Sequence, residues 1–100
     1  MWHWYCRLDR DMDIIGKWYR GLTKKAQANF DRARDQLQAL PITAWSKPAP
    51  ASYVQQDHIY VIRFKDEASQ KWRIFGHADT LHNKFVMSII ATERDNRGNL

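Results

Sequence analysis

The chain has 100 residues, of which 44% are hydrophobic and 13% aromatic, the composition of one small globular domain and not of a disordered segment. An excess of Lys and Arg over Asp and Glu gives a formal net charge of +5, which favours a partner rich in phosphate or carboxylate. The single cysteine, Cys6, excludes an internal disulfide and a cysteine-based zinc site, and the four histidines show no metal-ligand spacing, so we expect no metal or other cofactor.

The N-terminal residues 2–8, WHWYCRL, alternate strictly between two faces, which predicts a half-buried strand. The N-terminal segment does not resemble a signal peptide, because it has aromatic residues where a signal peptide has a basic stretch and a long apolar run. No apolar run approaches the ~18 residues that span a bilayer. We therefore expect a soluble cytoplasmic protein with no membrane contact.

Two helices are predicted next. The spacing of apolar residues predicts a first helix over about 11–20, with Asp9 or Asp11 as its N-cap. Thr23 is the predicted cap of a second helix that ends before Pro41. Its apolar stripe has three- and four-residue spacing and consists of Ala26, Phe30, Ala33, Leu37 and Leu40. The two helices form a hairpin that needs a sheet to cover its apolar side.

Residues 41–57 contain all three prolines and show no convincing period, which indicates an ordered connector or a mobile loop. Trp45 lies in this segment, and of the five tryptophans it is the one we expect to be exposed. It would either pack on the helices as a lid or anchor a partner. Trp2, Trp4 and Trp72 are assigned to the core.

Three strands are predicted after the connector, at about 58–65, 71–77 and 84–91, before a polar, frayed tail at 92–100. The predicted fold is a single two-layer α+β domain over residues 1–100. It has an N-terminal strand, a two-helix hairpin and a three-stranded antiparallel meander that completes a sheet of four strands.

If the first two strands of the meander fold back around Ala68, Arg63 faces Arg73 and Lys65 faces Lys71. The alternate residues form the face that receives the helices: Tyr60, Ile62, Phe64, Trp72, Ile74 and Gly76. The four cations therefore share the helix-free face. Like charges directly opposite each other on a sheet are unfavourable, so this arrangement needs a reason.

Two explanations are open. The cations form a solvated face with Asp66 and Glu67 as nearby counter-ions, or they bind the phosphates of a nucleic acid. The second is favoured by the convergence of the charges and by apolar and aromatic neighbours on the same face. The predicted RNA contacts are Arg63, Lys65, Lys71, Arg73, Phe75 and Lys84.

The segment IYVIRF…KWRIFGHAD, residues 59–79, resembles the paired arginine-bearing strands of the RelE/ParE toxin superfamily, in particular its HigB-like, phage-related branch. The SKP sequence at 46–48 is similar to the lysine-bearing loop that precedes those strands. The order of strand, two helices, proline-broken loop and meander is also similar.

The resemblance implies a toxin that cleaves mRNA on the ribosome without a metal and is held inactive by a small antitoxin of the DNA-binding kind. On this chain the family's phosphate-binding arginines correspond to Arg63 and Arg73, and its loop lysine to Lys47. The reaction is attack of a ribose 2′-hydroxyl on the adjacent phosphate, which needs cations, a base and an acid.

The sequence departs from the family after the last core strand, where Thr92 and Glu93 stand in place of a lysine pair. The candidates for the acid and the base are therefore His77, His82 and Glu93. The alternative hypothesis is a non-enzymatic, phage-type or degenerate relative that inhibits a host protein by direct binding.

Overall fold

The computed structural model describes residues 2–10, 12–46, 49–54 and 59–93. Its elements follow in chain order: β1 (His3–Cys6), β2 (Leu8–Asp9), β3 (Met12–Asp13), α1 (Ile14–Arg20), α2 (Lys24–Gln38), a 3₁₀ turn (Ile42–Ala44), β4 (Ala51–Val54), β5 (Ile59–Lys65), β6 (Lys71–Asp79) and β7 (Lys84–Glu93). No helix in these ranges is long and apolar enough to cross a membrane.

The main sheet has the strand order β1-β7-β6-β5-β4, in which β1 runs parallel to β7 and the other neighbours are antiparallel. The predicted α+β class with helices on a sheet is confirmed. The prediction of four strands and their order was wrong, because β4 adds a fifth strand beside β5. This strand lies in the connector that we predicted to have no regular structure, and its Ala51 is fully buried.

The N-terminal region differs from the prediction in detail. The chain leaves the main sheet after Cys6 and forms the short β2–β3 hairpin, so the first helix begins at Ile14 and not near residue 11. Asp13 is its N-cap and accepts a hydrogen bond from the Gly16 amide at 2.8 Å. The prediction that Asp9 or Asp11 would be the cap was therefore wrong.

Helix α2 agrees with the prediction. The Thr23 hydroxyl accepts a hydrogen bond from the Ala26 amide at 3.1 Å, and the helix ends at Gln38. Four of the five stripe residues are buried, while Leu40 is half-buried: Ala26, Phe30, Ala33 and Leu37. The stripe covers β5, so the core lies between α2 and one face of the sheet.

Trp45 is buried with 2% of its surface exposed, so the expectation of an exposed tryptophan was wrong. Its ring lies 5.3 Å from that of Trp2 and 5.2 Å from that of Phe85. Trp2 is buried, while Trp4 and Trp72 are half-buried against the core, as predicted. The connector thus supplies a central core residue.

Candidate nucleic-acid interface

The pairing of β5 with β6 places Arg63 opposite Arg73 and Lys65 opposite Lys71, as predicted from the sequence. The alternate residues Ile62 and Ile74 are fully buried beneath the helices. Since side chains alternate along a strand, the four cations extend from the helix-free face. We call these four residues the cation block.

The neighbouring strand β4 positions Arg63. The Arg63 guanidinium donates a hydrogen bond to the Ser52 hydroxyl at 2.7 Å, and the Arg63 amide donates to the Pro50 carbonyl at 2.8 Å. Ser52 lies opposite Val61, so it shares the helix-free face with Arg63. Sequence reasoning missed this contact because it did not predict β4.

The pair next to the arginines is apolar. Val61 lies opposite Phe75, which in turn lies opposite Ile89 of β7. Val61 is 2% exposed and Phe75 is half-buried, whereas Ile89 is 58% exposed. The predicted stacking residue Phe75 therefore lies within an apolar surface that adjoins the arginine pair.

The acids in the β5–β6 turn have other partners. Asp66 accepts hydrogen bonds from the Trp72 indole at 3.1 Å and from the amides of Gln70 and Ala68 at 2.9 Å. The indole bond, with support from the two amides, lowers the pKa of Asp66 below its ordinary value. The carboxylate of Glu67 accepts a hydrogen bond from the hydroxyl of Thr23.

Lys65 and Lys71 form no ion pair with an acid anywhere in the part of the chain that the structure describes. The carboxylates of the turn therefore stabilise the turn and the start of α2, and they leave these two lysine charges uncompensated by described side chains.

The predicted histidines lie farther along the sheet. His77 is exposed on the same face as Arg73, roughly 13 Å away at ~3.3 Å per strand residue. His82 lies in the β6–β7 turn, where its Nδ1 is 2.8 Å from a carboxylate oxygen of Asp79. This contact is the first of several that lower the pKa of Asp79.

Lys84 lies opposite Asp79, roughly 20 Å along β6 from Arg73. Its ammonium is 5.8 Å from the ring centre of Tyr5. The structure therefore brings neither Lys84 nor His82 together with the arginine pair, and these two residues mark the opposite end of the sheet.

Two further catalytic candidates, Lys47 and Glu93, lie wholly or partly outside the residues that the structure describes. Lys47 lies outside the described residues. The backbone of Glu93 lies opposite Lys71, so Glu93 is the predicted acid or base whose position in the sheet adjoins the cation block, while its side chain is outside the described part. No cluster of three or more potential metal ligands is found among the described residues.

Comparisons with protein-family models, with curated proteins and with solved structures found no significant match. The RelE/HigB-like resemblance therefore stays a prediction. Function has to be inferred from the chemistry of the sheet face. Two planar, forked cations on adjacent strands can share the oxygens of one phosphate, and the adjoining apolar surface can accept a base.

Proposed function

We propose that the helix-free face binds single-stranded RNA, with Arg63 and Arg73 as a shared clamp on one phosphate. The observation that carries this proposal is the direct pairing of these two arginines across neighbouring strands, with Lys65 and Lys71 paired beside them. One phosphate between two guanidiniums replaces their repulsion by two sets of charge-assisted hydrogen bonds.

In the free protein, the paired cations repel each other. Like charges directly opposite each other on a sheet face destabilise the folded chain. Lys65 and Lys71 form such a pair with no acid partner among the described side chains, and the described acids of the adjacent turn bind elsewhere. A polyanionic ligand removes this cost, and Phe75 with its apolar neighbours offers a surface on which a base can stack.

We further propose that the RNA is mRNA on the ribosome and that the protein is a RelE/HigB-like toxin with a small, DNA-binding antitoxin. The support is the order of the elements, in which β1 and the two helices precede the arginine-bearing hairpin, with the short β2–β3 hairpin before α1 and β4 after α2. In the proposed reaction the 2′-hydroxyl oxygen attacks the phosphorus and loses its proton to a base. The bond to the 5′-oxygen breaks, and an acid protonates that oxygen.

Four of the six catalytic candidates have a proposed role in this reaction. Arg63 and Arg73 stabilise the charge that develops on the phosphate oxygens. Glu93 is the preferred base because its strand position adjoins Lys71. Lys47 is the proposed additional cation from the connector.

A non-enzymatic function is the second candidate, and the positions of the histidines favour it. His77 on β6 and His82 in the turn after β6 lie too far from the arginine pair for direct proton transfer at a phosphate held there. Under this second proposal, the chain is a phage-type or degenerate relative of the RelE/HigB-like toxins that uses the same sheet face to block a host protein.

The binding proposal is tested by fluorescence anisotropy with a labelled single-stranded RNA at several salt concentrations. Affinity should fall steeply with salt, and Arg73→Ala should flatten the slope of log K against log[salt] by about one unit. Arg73→Lys should restore the slope but only part of the affinity, because an ammonium lacks the planar fork. The matched control is Arg32→Ala, which removes an equal charge from the exposed side of α2 and should leave binding unchanged.

Cleavage is tested on ribosomes programmed with a defined mRNA. Arg73→Ala should lower the cleavage rate by ~10²–10³-fold, more than it lowers affinity, because the clamp acts on charge that develops in the transition state. Binding without cleavage on ribosomes and on free RNA would favour the inhibitor. Absence of salt-sensitive binding would contradict the RNA proposal itself.

The toxin proposal has its own test in cells. Expression of the chain should arrest growth and cleave messengers, and co-expression of the adjacent open reading frame should relieve both effects. The product of that frame should co-purify with the chain and lose affinity when Arg63 and Arg73 are both changed to Ala. Unchanged affinity in the double variant would place the antitoxin away from the cation block.

A further inference from the structure

Strand β7 is longer than β1, which pairs with the side of β7 that faces away from β6. We call this the outer side of β7. Its pairing with β1 runs from Lys84 to Met87, and the next contact is a hydrogen bond from the Arg7 amide to the Met87 carbonyl at 2.8 Å. The chain then turns away into the β2–β3 hairpin. Among the described residues, no strand pairs with the outer side of 88–93, so this half of β7 is an open sheet edge.

A β-bulge marks the start of the open edge. Gly76 pairs with Met87 and Phe75 pairs with Ile89, so Ser88 is an extra residue in β7. The Ser88 hydroxyl has almost no exposed surface and no hydrogen-bond partner in the described part of the chain. Bulges twist a strand and redirect its side chains, which separates the outer half of β7 from β1.

A cavity of about 370 Å³ lies at this edge and is lined by Arg7, Ile14, Ser88, Ile89 and Ile90. Ile89 and Ile90 are consecutive strand residues and extend to opposite faces of the sheet. A cavity that both of them line must lie beside the strand and not over one face. Its position is therefore the place that a further strand would occupy.

The surroundings of this cavity are apolar and exposed. Ile89 is 58% exposed, and Leu8 of the β2–β3 hairpin is 57% exposed; Met12 and Ile14 are exposed as well. Ile14 and Ile89 line the cavity itself, while Leu8 and Met12 belong to the hairpin that follows Arg7. Exposed apolar side chains beside a sheet edge are typical of a protein-binding surface. We call the open half of β7 with these residues the β7 edge.

Among the described residues that line the cavity, Arg7 is the one that carries a positive charge. Its guanidinium forms no hydrogen bond or ion pair with any described residue. The site thus combines backbone groups that no described strand pairs with, an apolar wall and one positive charge, which together specify the chemistry of a ligand.

We propose that the β7 edge binds an extended segment of a second protein, which adds a strand to the sheet beside residues 88–93. At ~3.3 Å per residue this edge is roughly 20 Å long, enough for a strand of ordinary length. Main-chain hydrogen bonds supply affinity, and alternate side chains supply specificity. The segment carries apolar side chains toward Ile14 and Ile89 and a carboxylate toward Arg7.

Charge complementarity favours this occupant over a second copy of the chain. A second copy would bring its own Arg7 and a net charge of +5 to the same edge, whereas an acidic segment neutralises Arg7. The proposal does not depend on RNA binding, because it concerns the outer side of β7 and not the cation block on β5 and β6.

The test begins with selection of phage-displayed random 12-residue peptides on the intact chain, followed by calorimetry with the enriched synthetic peptides. We expect alternating apolar residues and at least one Asp or Glu. Ile89→Asp should weaken binding by about tenfold or more, and Arg7→Ala by about fivefold. The control is Leu81→Asp, which places the same charge at another exposed apolar position, 85% exposed, and should leave affinity unchanged.

Amide hydrogen exchange separates strand addition from other modes of binding. Exchange at residues 88–93 should slow when the peptide is bound, and a peptide with N-methylated backbone amides should bind at least tenfold more weakly. The proposal would be overturned if no peptide were enriched, or if the enriched peptides bound the Ile89→Asp variant as tightly as the wild type. A concentration-dependent dimer that Ile89→Asp abolishes would also overturn it, since the occupant would then be a second copy. RNA binding by Arg7→Ala should match the wild type, because Arg7 lies outside the cation block and its apolar neighbours, and this separates the test from that of RNA binding.

Discussion

Replacement of Trp45 by Ala tests whether the connector residue is a central part of the core. The indole is 2% exposed, and four aromatic rings surround it at centroid distances of 5.2 to 5.9 Å: Trp2, Trp4, Tyr60 and Phe85. Its Nε1 also donates a weak hydrogen bond to the Leu40 carbonyl at 3.4 Å. The substitution removes all of these contacts and leaves a cavity.

Loss of a fully buried Trp or Phe side chain costs about 3–5 kcal/mol, the sum of the lost transfer free energy and the cavity that remains. A domain of this size has a total free energy of unfolding of about 5–15 kcal/mol. We therefore expect Trp45→Ala to remove a large part of the stability. Trp45→Phe keeps a ring at the centre of the cluster and should cost less.

Urea unfolding followed by circular dichroism measures the effect. The midpoint should fall while the m-value stays constant, since the surface exposed on unfolding changes little. Leu81→Ala is the control, because Leu81 is 85% exposed and its loss should change stability by less than about 0.5 kcal/mol. A cost for Trp45→Ala below about 1 kcal/mol would refute the assignment of Trp45 to the core.

Three further predictions follow from single contacts. Gly76→Ala should destabilise the chain by about 1–3 kcal/mol in urea unfolding, because an added Cβ would lie 2.3 Å from the Val86 carbonyl oxygen; an unchanged midpoint would contradict this. The pKa of Asp66 is lowered in the folded chain by its hydrogen bond from Trp72, so its stabilising contribution is present above the unfolded pKa of ~3.9 and is lost as pH falls through the folded pKa. Asp66→Asn should reduce this acid-dependent part of stability, measured as unfolding midpoints between pH 2 and pH 6, and identical pH profiles would refute the assignment. Burial, and then the nearby carboxylate of Asp13, raise the pKa of the Cys6 thiol, so iodoacetamide should alkylate it more slowly at neutral pH in the folded chain than in urea; equal rates would contradict this.

The register of the hairpin could be predicted because it depends on local rules. Alternation has a period of two, so a slip by one residue would move Arg63 beneath the helices and Ile62 into solvent. Helix α2 was predictable for the same kind of reason, since its apolar stripe and the Thr23 cap agree with each other. These local signals were sufficient to place the four cations on one face.

Features that depend on distant partners could not be predicted. The segment Ala51–Val54 forms a strand because the edge of β5 supplies its hydrogen-bond partners. These four residues follow a proline and are too few to show a clear alternation of apolar and polar side chains, so the sequence alone did not indicate a strand. Burial of Trp45 likewise depends on rings that are far away in sequence. Asp13 was missed as a cap because several nearby acids satisfy the same local rule.

The positions of the catalytic candidates show the same limit. Sequence reasoning named His77 and His82 as candidates for the acid or the base because they can transfer protons. Strand geometry places His77 roughly 13 Å from Arg73, and His82 beyond the end of β6. Alternation along β7 also could not predict Ser88 as an extra residue, although it lies directly after Met87, where the pairing of β7 with β1 ends. Both cases depend on the three-dimensional path of the strands.

The most direct test of the RNA proposal is an NMR titration that follows the Nε–Hε signals of the arginines while a short single-stranded RNA is added. Signals of Arg63 and Arg73 should shift together and saturate at one equivalent, and the signal of Arg32 on α2 should stay in place. Raised salt should reverse the shifts of the pair. Shifts confined to Arg32 or other helix residues, with the Arg63 and Arg73 signals unchanged, would contradict the claim that the cation block binds RNA.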